Sequence, residues 1–369
     1  MEPRTEYLSL LRRLVETASP SQHERAMAEL VAKELREMGY APALQAVGED
    51  SANVLCTIPG GEGPSVLLAG HIDTVEIAKG WQRPPLSLTV EGDRAYGLGA
   101  SDMKGGIAAL LMVLRRFARE GRRPAGTVYF AGLADEERLS QGAHAFLEQA
   151  PQADFCILAE PHYDEFIIGA TGKILLELTV TGRSGHAARP EEGVSAVDAM
   201  ARLLTALEAQ WSPPYRAGTA GSHCVLRLWS DWSGYSLSIP DVCRALVNKQ
   251  LLPQEREEDL PDQLQAIFSP LSQGAALQVE RRLPRYPAYT TDTENPHFQR
   301  LLALAEEMQG RRPRLRVNES VSDGNIIEPI LHIPTVNFGP KGVGFHHPDE
   351  YLEIPTALTY IETLYRFLQ

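Results

Sequence analysis

The sequence predicts an α/β chain with a mixed, largely parallel sheet, interrupted by an inserted βαββαβ domain. Three observations carry this reading. From residue 41 to 159, apolar runs of strand length alternate with helix-period segments. After about residue 166 the order becomes strand, helix, two strands, helix, strand. At 369 residues the chain also exceeds the usual single-domain size. The expected division is 1–166 with 286–369 as one discontinuous domain, and 167–285 as the insert.

Leu8, Leu11, Leu14 and Val15 recur at helical spacing, which predicts a helix over 5–17. Ser21 and Glu24 read as a capping box opening a helix that stops at Gly39. Strands follow near 41–47, 52–58 and 65–72, and 86–90 and 94–96 flank the turn Glu91-Gly92-Asp93. Residues 105–119 read as a helix, 127–133 as a strand, 141–149 as a helix and 155–159 as a strand. In the insert, strands are expected over 173–181, 224–231, 244–252 and 277–283, with helices over 194–211 and 257–271. Asn295-Pro296 opens another helix. A strand over 333–338 and a helix over 355–368 complete the chain.

Hydrophobic residues make up 43% and charged residues 22%, an ordinary globular profile. The net charge of −13 argues against nucleic acid and anionic membranes as partners. No apolar run has signal-core or bilayer-spanning character. Cys56, Cys156, Cys224 and Cys243 show no Cys-x-x-Cys spacing and read as reduced thiols, so a cytoplasmic location is expected.

The chemistry gathers where strands end. His71 and Asp73 follow the apolar run Val66-Leu67-Leu68 and project to one face. A carboxylate beside a ligating imidazole can fix its tautomer, although an isolated His-x-Asp is more often structural. Asp102 reads either as a helix N-cap or as a carboxylate shared by two metal ions. Asp135-Glu136-Glu137 is either a solvated loop or a ligand beside a free base. Glu160 follows the strand at 155–159. In Phe345-His346-His347-Pro348-Asp349-Glu350, either histidine suits a metal. Most of these clusters sit at strand ends, where α/β sheets gather functional groups.

The set Gly70-His71-Ile72-Asp73-Thr74-Val75, Tyr96-Gly97-Leu98-Gly99, Asp102-Met103-Lys104-Gly105 and His347-Pro348-Asp349-Glu350-Tyr351-Leu352 resembles a known family. It is the dizinc amidohydrolase and exopeptidase family of acetylornithine deacetylase, succinyl-diaminopimelate desuccinylase, aminoacylase and glutamate carboxypeptidase. The acetylornithine deacetylase branch is the most similar. The resemblance covers nearly the whole chain. It implies a zinc-exopeptidase-like catalytic domain and a ferredoxin-like lid through which subunits form a homodimer. It implies two divalent metal ions, zinc first, with cobalt or manganese as alternatives. His71 and Glu160 would hold one ion, Glu137 and His346 the other, and Asp102 would bridge them. His346 is preferred to His347 because the family ligand stands two residues before the Pro of Pro-Asp-Glu. Asp73 would support His71, and Glu136 would be the general base. His186, in Gly185-His186-Ala187-Ala188, matches the lid histidine that stabilises the oxyanion in a neighbouring subunit. Asp323 and Asn325 match a segment that lines the substrate side.

Two positions depart from the family. Its substrate-carboxylate Asn and Arg fall on Leu237 and Gln250 here. A neutral amide does not replace an arginine fork. The expected activity is hydrolysis of a small N-acylated amine or amino acid. An exopeptidase or dipeptidase using the same metals is the alternative, and a catalytically retired metal-binding scaffold is a third reading.

Overall fold

The computed structural model describes residues 2–211, 222–230 and 237–369. They divide into two compact units. The first comprises Met1–Gly169, Thr290–Asn318 and Ser322–Gln369, and the second Ala170–Tyr289 with Glu319–Val321.

The first unit is built on a nine-stranded mixed sheet. Its centre is parallel, in the spatial order Gly126–Leu133, Gly63–His71, Phe155–Leu158, Thr335–Asn337. Ser51–Ile58 and Ala43–Gly48 extend one side antiparallel. Glu165–Ala170 runs antiparallel on the other. The register sets His71 opposite Leu133 and Ala69 opposite Leu158. The chain therefore leaves three neighbouring strands at one edge of the sheet, carrying His71, then Asp135 to Glu137, then Glu160.

Helices cover this sheet because each offers one apolar stripe. In Pro3–Glu16 the buried positions Tyr7, Leu10, Leu11 and Leu14 follow the i, i+3, i+4, i+7 rule. Burying each such side chain contributes about 1.5–3 kcal/mol. Lys104–Glu120 is buried through most of its length and ends at Gly121 with φ +62°. Its Gly105-Gly106 start is a packing requirement, since a Cβ on Gly106 would collide with the Ala159 carbonyl. In Pro296–Gln309 the Asn295 side chain accepts from the N–H groups of His297 and Phe298, at 2.9 and 3.3 Å. A small antiparallel sheet orders Gly342–Val343, Tyr351–Glu353, Arg94–Tyr96 and Thr89–Glu91.

The second unit is β-α-β-β-α-β: Gly172–Thr181, Ala196–Trp211, His223–Ser230, Val242–Leu251, Leu260–Phe268, Ala276–Tyr286. Its four strands are antiparallel, in the order His223–Ser230, Val242–Leu251, Gly172–Thr181, Ala276–Tyr286. Ile174, Leu176, Leu178 and Val180 alternate onto the face covered by both helices.

Several details correct the sequence reading. No capping box forms at Ser21 and Glu24. The Ser21 hydroxyl donates to Asp73 Oδ2 at 2.7 Å, and Glu24 Oε1 accepts from the amides of Gln22 and Asp135, so tertiary partners win both side chains. The helix expected over 257–271 is α-helical only for Leu260–Phe268, with Pro261 in its first turn and 3₁₀ turns at Glu257–Asp259 and Ser269–Leu271, the second containing Pro270. Gln141–Phe146 ends three residues early. The strand expected over 224–231 is His223–Ser230, and Asp231 lies outside the described residues. Ser322-Asp323-Gly324 leads into the helix Gly324–Leu331, which was not anticipated. The strands Glu165–Ala170 and Arg314–Asn318 were not anticipated. No helix among the described residues is long and apolar enough to cross a membrane.

Candidate metal centre

His71 ends the central strand and is 1% exposed. Its Nδ1 lies 3.1 Å from the Asp73 carbonyl and 3.4 Å from Asp73 Oδ1. That leaves Nε2 facing Asp102 Oδ1 at 3.0 Å. The other oxygen of Asp102, Oδ2, is 3.4 Å from His346 Nε2. One carboxylate thus spans two imidazoles. His346 in turn lies 2.9 Å from Glu137 Oε2. Asp102 is therefore not a helix N-cap; Met103 holds that position and Asp102 faces inward.

Asp73 is fully buried and joins two strand ends. Its Oδ1 accepts from the Glu136 N–H and its Oδ2 from the Glu137 N–H, each at 3.1 Å. Asp135, at φ +64°, turns the chain so that Glu136 and Glu137 face the cluster, and the loop is not a solvated acidic run. Glu160 is 8% exposed, and its carbonyl accepts from His162 N–H at 2.6 Å.

Three groups of donors emerge, each within 4.8 Å internally: His71, Glu136 and Glu137; His71, Asp102 and Glu160; Asp102, Glu137 and His346. The five expected ligands therefore converge, and Glu136 stands among them. His347 is in none of these groups. The donor set suits divalent cations: two imidazoles, which ligate in their neutral form, with carboxylate oxygens.

The electrostatics agree. Burial, with the nearby Asp102 charge, pushes the Glu160 carboxyl up to about 8. Burial also drives Glu136 well above the carboxylate range, reinforced by Glu160, Asp323 and Glu137. Glu137 moves up for the same first reason. His346 is raised to about 10 by its hydrogen bonds to Asp102 and Glu137. Burial opposes charge on His71, but Asp102 and Asp73 outweigh it and hold the imidazole well above its usual range. So many acids in one desolvated place call for added positive charge.

Asp323 is 1% exposed, and burial pushes its carboxyl up to about 7. Asn325 is fully buried, with Oδ1 accepting from the Ser322 N–H at 2.9 Å. His186 and Gln250 belong to the second unit. His186 is exposed, and its Nδ1 accepts from the Ala188 N–H at 3.1 Å. In the neutral ring the proton then sits on Nε2, which becomes a donor. Gln250 has both ends of its amide engaged: Oε1 accepts from the Ser222 hydroxyl at 2.7 Å, and Nε2 donates to the Glu319 carbonyl at 3.2 Å. Lys249 is 1% exposed and pairs with Glu255 at 3.2 Å. Ser21, Lys104 and Glu350 also support the centre and were assigned no part from sequence. Only Glu350 and Lys104 carried a signal, as members of the quoted motifs.

Fold and donor set together define a metal-dependent hydrolase built on a parallel-centred α/β sheet with a separate antiparallel unit. The chain belongs to Peptidase family M20/M25/M40, whose model matches residues 67–369. It is 28% identical to the acetylornithine deacetylase of Edwardsiella ictaluri, over 98% of this chain and 98% of that one. It is also 28% identical to that of Proteus mirabilis, over 94% and 92%. Among solved structures, the aminopeptidase PepT of Bacillus cereus superposes with a TM-score of 0.81 at 19% identity, covering 99% of this chain and 98% of that one. A dinuclear metal-binding M20 peptidase of Bacillus subtilis does so at 0.75 and 16%, covering 99% and 97%.

Proposed function

We propose that this enzyme removes the acyl group from a small N-acylated amine or amino acid by a dimetal amidohydrolase mechanism. The observation that carries the reading is the Asp102 carboxylate, whose two oxygens face His71 and His346 separately. His71 and Glu160 would hold one divalent ion, Glu137 and His346 the other, and Asp102 would bridge them. Zinc is the first choice, with cobalt or manganese able to replace it. Bound there, the ions would acidify a water and polarise the scissile carbonyl.

Glu136 then acts as general base, taking the proton from the attacking water and delivering it to the departing amine nitrogen. Burial raises its proton affinity, and two cations beside it would lower that again and leave the carboxylate free to accept a proton. Asp73 keeps the His71 imidazole oriented through Nδ1. The Nε2–H of His186 would serve as an oxyanion donor. Residues 167–285 are the proposed lid and dimerisation domain. Its edge strand His223–Ser230 leaves Leu226 and Leu228 each 54% exposed, which suits pairing with a second copy.

The leaving amine lacks an α-carboxylate, or another group binds it. The Gln250 amide is already satisfied, Lys249 is committed to Glu255, and Leu237 offers only an apolar side chain. On the first unit, Asp323 and Asn325 remain the proposed substrate-side residues. Four free thiols fit a reducing compartment, and we assign the enzyme to the cytoplasm. A second reading is an exopeptidase, favoured by the peptidases among the similar folds.

A substrate panel tests the reading. N-acetyl, N-formyl and N-succinyl amines, with and without an α-carboxylate, are assayed beside dipeptides, before and after chelation. Metal-dependent release of the acyl group from amines lacking the carboxylate is expected. Exclusive cleavage of dipeptides would favour the exopeptidase. A strict need for the α-carboxylate that is lost in Gln250→Ala would overturn the substrate proposal.

A further inference from the structure

The geometry points to Glu350 as a positioning residue that fixes the loop carrying Asp102 against the loop carrying His346. The inference rests on reading those two residues as metal ligands. Glu350 is 2% exposed, four residues after His346. Its Oε1 accepts from the Gly99 N–H at 2.7 Å. Its backbone carbonyl accepts from the Gly97 N–H at 3.4 Å. The next residue, Tyr351, pairs across the small sheet with Tyr96, their rings 5.2 Å apart. Glu350 Oε2 is buried and makes no hydrogen bond among the described residues, and burial pushes the carboxyl up to about 8. One residue therefore holds the turn that leads to Asp102 twice, through its side chain at Gly99 and through its backbone carbonyl at Gly97.

The surroundings make that grip rigid. Gly99 sits at φ +75°, and an added Cβ there would press on Thr74 and Lys104. Lys104, 1% exposed, donates to the Thr17 carbonyl at 2.9 Å, and burial lowers its ammonium to about 7 although the Glu350 charge opposes this. On the far side, Asp349 accepts from the amides of Gln82 and Arg83, at 3.2 and 3.1 Å, which anchors the residue beside Glu350. His346 itself is at φ +64°, a conformation that needs external support. The Glu350 side chain thus ties the loop that carries His346 to the turn that precedes Asp102. Together with the pairing of Tyr351 and Tyr96, the length of this glutamate sets how closely the two loops approach.

Zinc affinity tests this directly. Glu350→Ala removes the carboxylate. Glu350→Asp keeps the charge and withdraws it by one methylene, out of reach of the Gly99 N–H. Glu350→Gln keeps an acceptor for that N–H. Zinc binding is measured on metal-stripped protein by competition with a chromophoric chelator, while thermal unfolding of the stripped proteins is followed in parallel. We expect Ala and Asp to bind zinc roughly 10–100-fold more weakly, with Gln recovering most of the loss. At saturating zinc, kcat should fall while KM stays within about twofold. If Glu350→Ala does not fold, the Asp and Gln pair carries the comparison. Parental zinc affinity in the folded Ala or Asp variant would overturn the inference. So would equal loss in all three. Absence of zinc binding by the parent would instead sink the metal-ligand reading itself, and is seen before any variant is made.

Discussion

The backbone N–H of Glu136 donates to Asp73 Oδ1 at 3.1 Å. The same carboxylate takes the Glu137 N–H and the Ser21 hydroxyl on its other oxygen and faces the His71 ring. A residue from the first strand end thus aligns the proposed base and two proposed ligands. Asp73→Asn puts an amide NH2 against N–H donors, leaving a buried donor unsatisfied. We expect kcat to fall about 10–100-fold and stability to drop by about 1–3 kcal/mol. Steady-state kinetics and urea unfolding check this, and an unchanged kcat would remove Asp73 from the account.

Glu136→Gln should separate chemistry from metal binding. The proton acceptor is lost, so kcat is expected to fall about 10²–10⁴-fold. Metal content, read by elemental analysis, should stay at the parental value. A loss of metal in this variant would make Glu136 a ligand, as its closeness to His71 and Glu137 allows.

Metal binding should release protons. Without metal, His346 holds its proton up to about 10 because of Asp102 and Glu137, and burial holds one on Glu160 up to about 8. Ligation requires both to be deprotonated. Affinity should therefore rise with pH between 6 and 8, by up to about tenfold per unit for each proton released. Calorimetry in buffers of different ionisation enthalpy counts the protons, and a pH-independent affinity would contradict the assignment.

Glu328 offers a pH test away from the metals. Burial pushes its carboxyl from 4.5 up to about 7. Between those values the folded protein binds more protons than the unfolded chain, so stability falls as pH rises through that window. Glu328→Gln should flatten this part of the stability profile. Equal slopes in parent and variant, from urea unfolding at several pH values, would rule out the effect.

Gly106→Ala tests how the helix Lys104–Glu120 seats against the strand end that precedes Glu160. The new Cβ meets the Ala159 carbonyl. Overpacking of this kind costs about 1–3 kcal/mol, and metal affinity should fall with it as Glu160 is displaced. A neutral result in both measurements would mean that the helix can shift freely.

The sequence made some of this plain and hid the rest, for physical reasons. The parallel centre was legible because Val66-Leu67-Leu68 and Phe155-Cys156-Ile157-Leu158 are apolar on both faces, as doubly covered strands must be. The alternation of Ile174, Leu176, Leu178 and Val180 announced a sheet covered on one face. Local motifs misled where a distant partner competed. Ser21 and Glu24 look like a helix cap, but Asp73 and Asp135 claim their side chains. Gly324–Leu331 was hidden by Asp323-Gly324 and by Pro329 within the helix. The links from Asp73 to residues 136 and 137 span more than sixty positions and leave no local pattern.

In the proposed centre, five side chains from separate strand ends and loops grip two cations beside a free glutamate. Metal stoichiometry tests it most directly, measured by elemental analysis on the parent and on His346→Ala alongside amide hydrolysis. The account predicts about two divalent ions in the parent and about one in the variant, with hydrolysis lost in the variant and, in the parent, abolished by chelation and restored by zinc. A parent that binds no divalent ion, or that hydrolyses amides equally well after chelation, would contradict it.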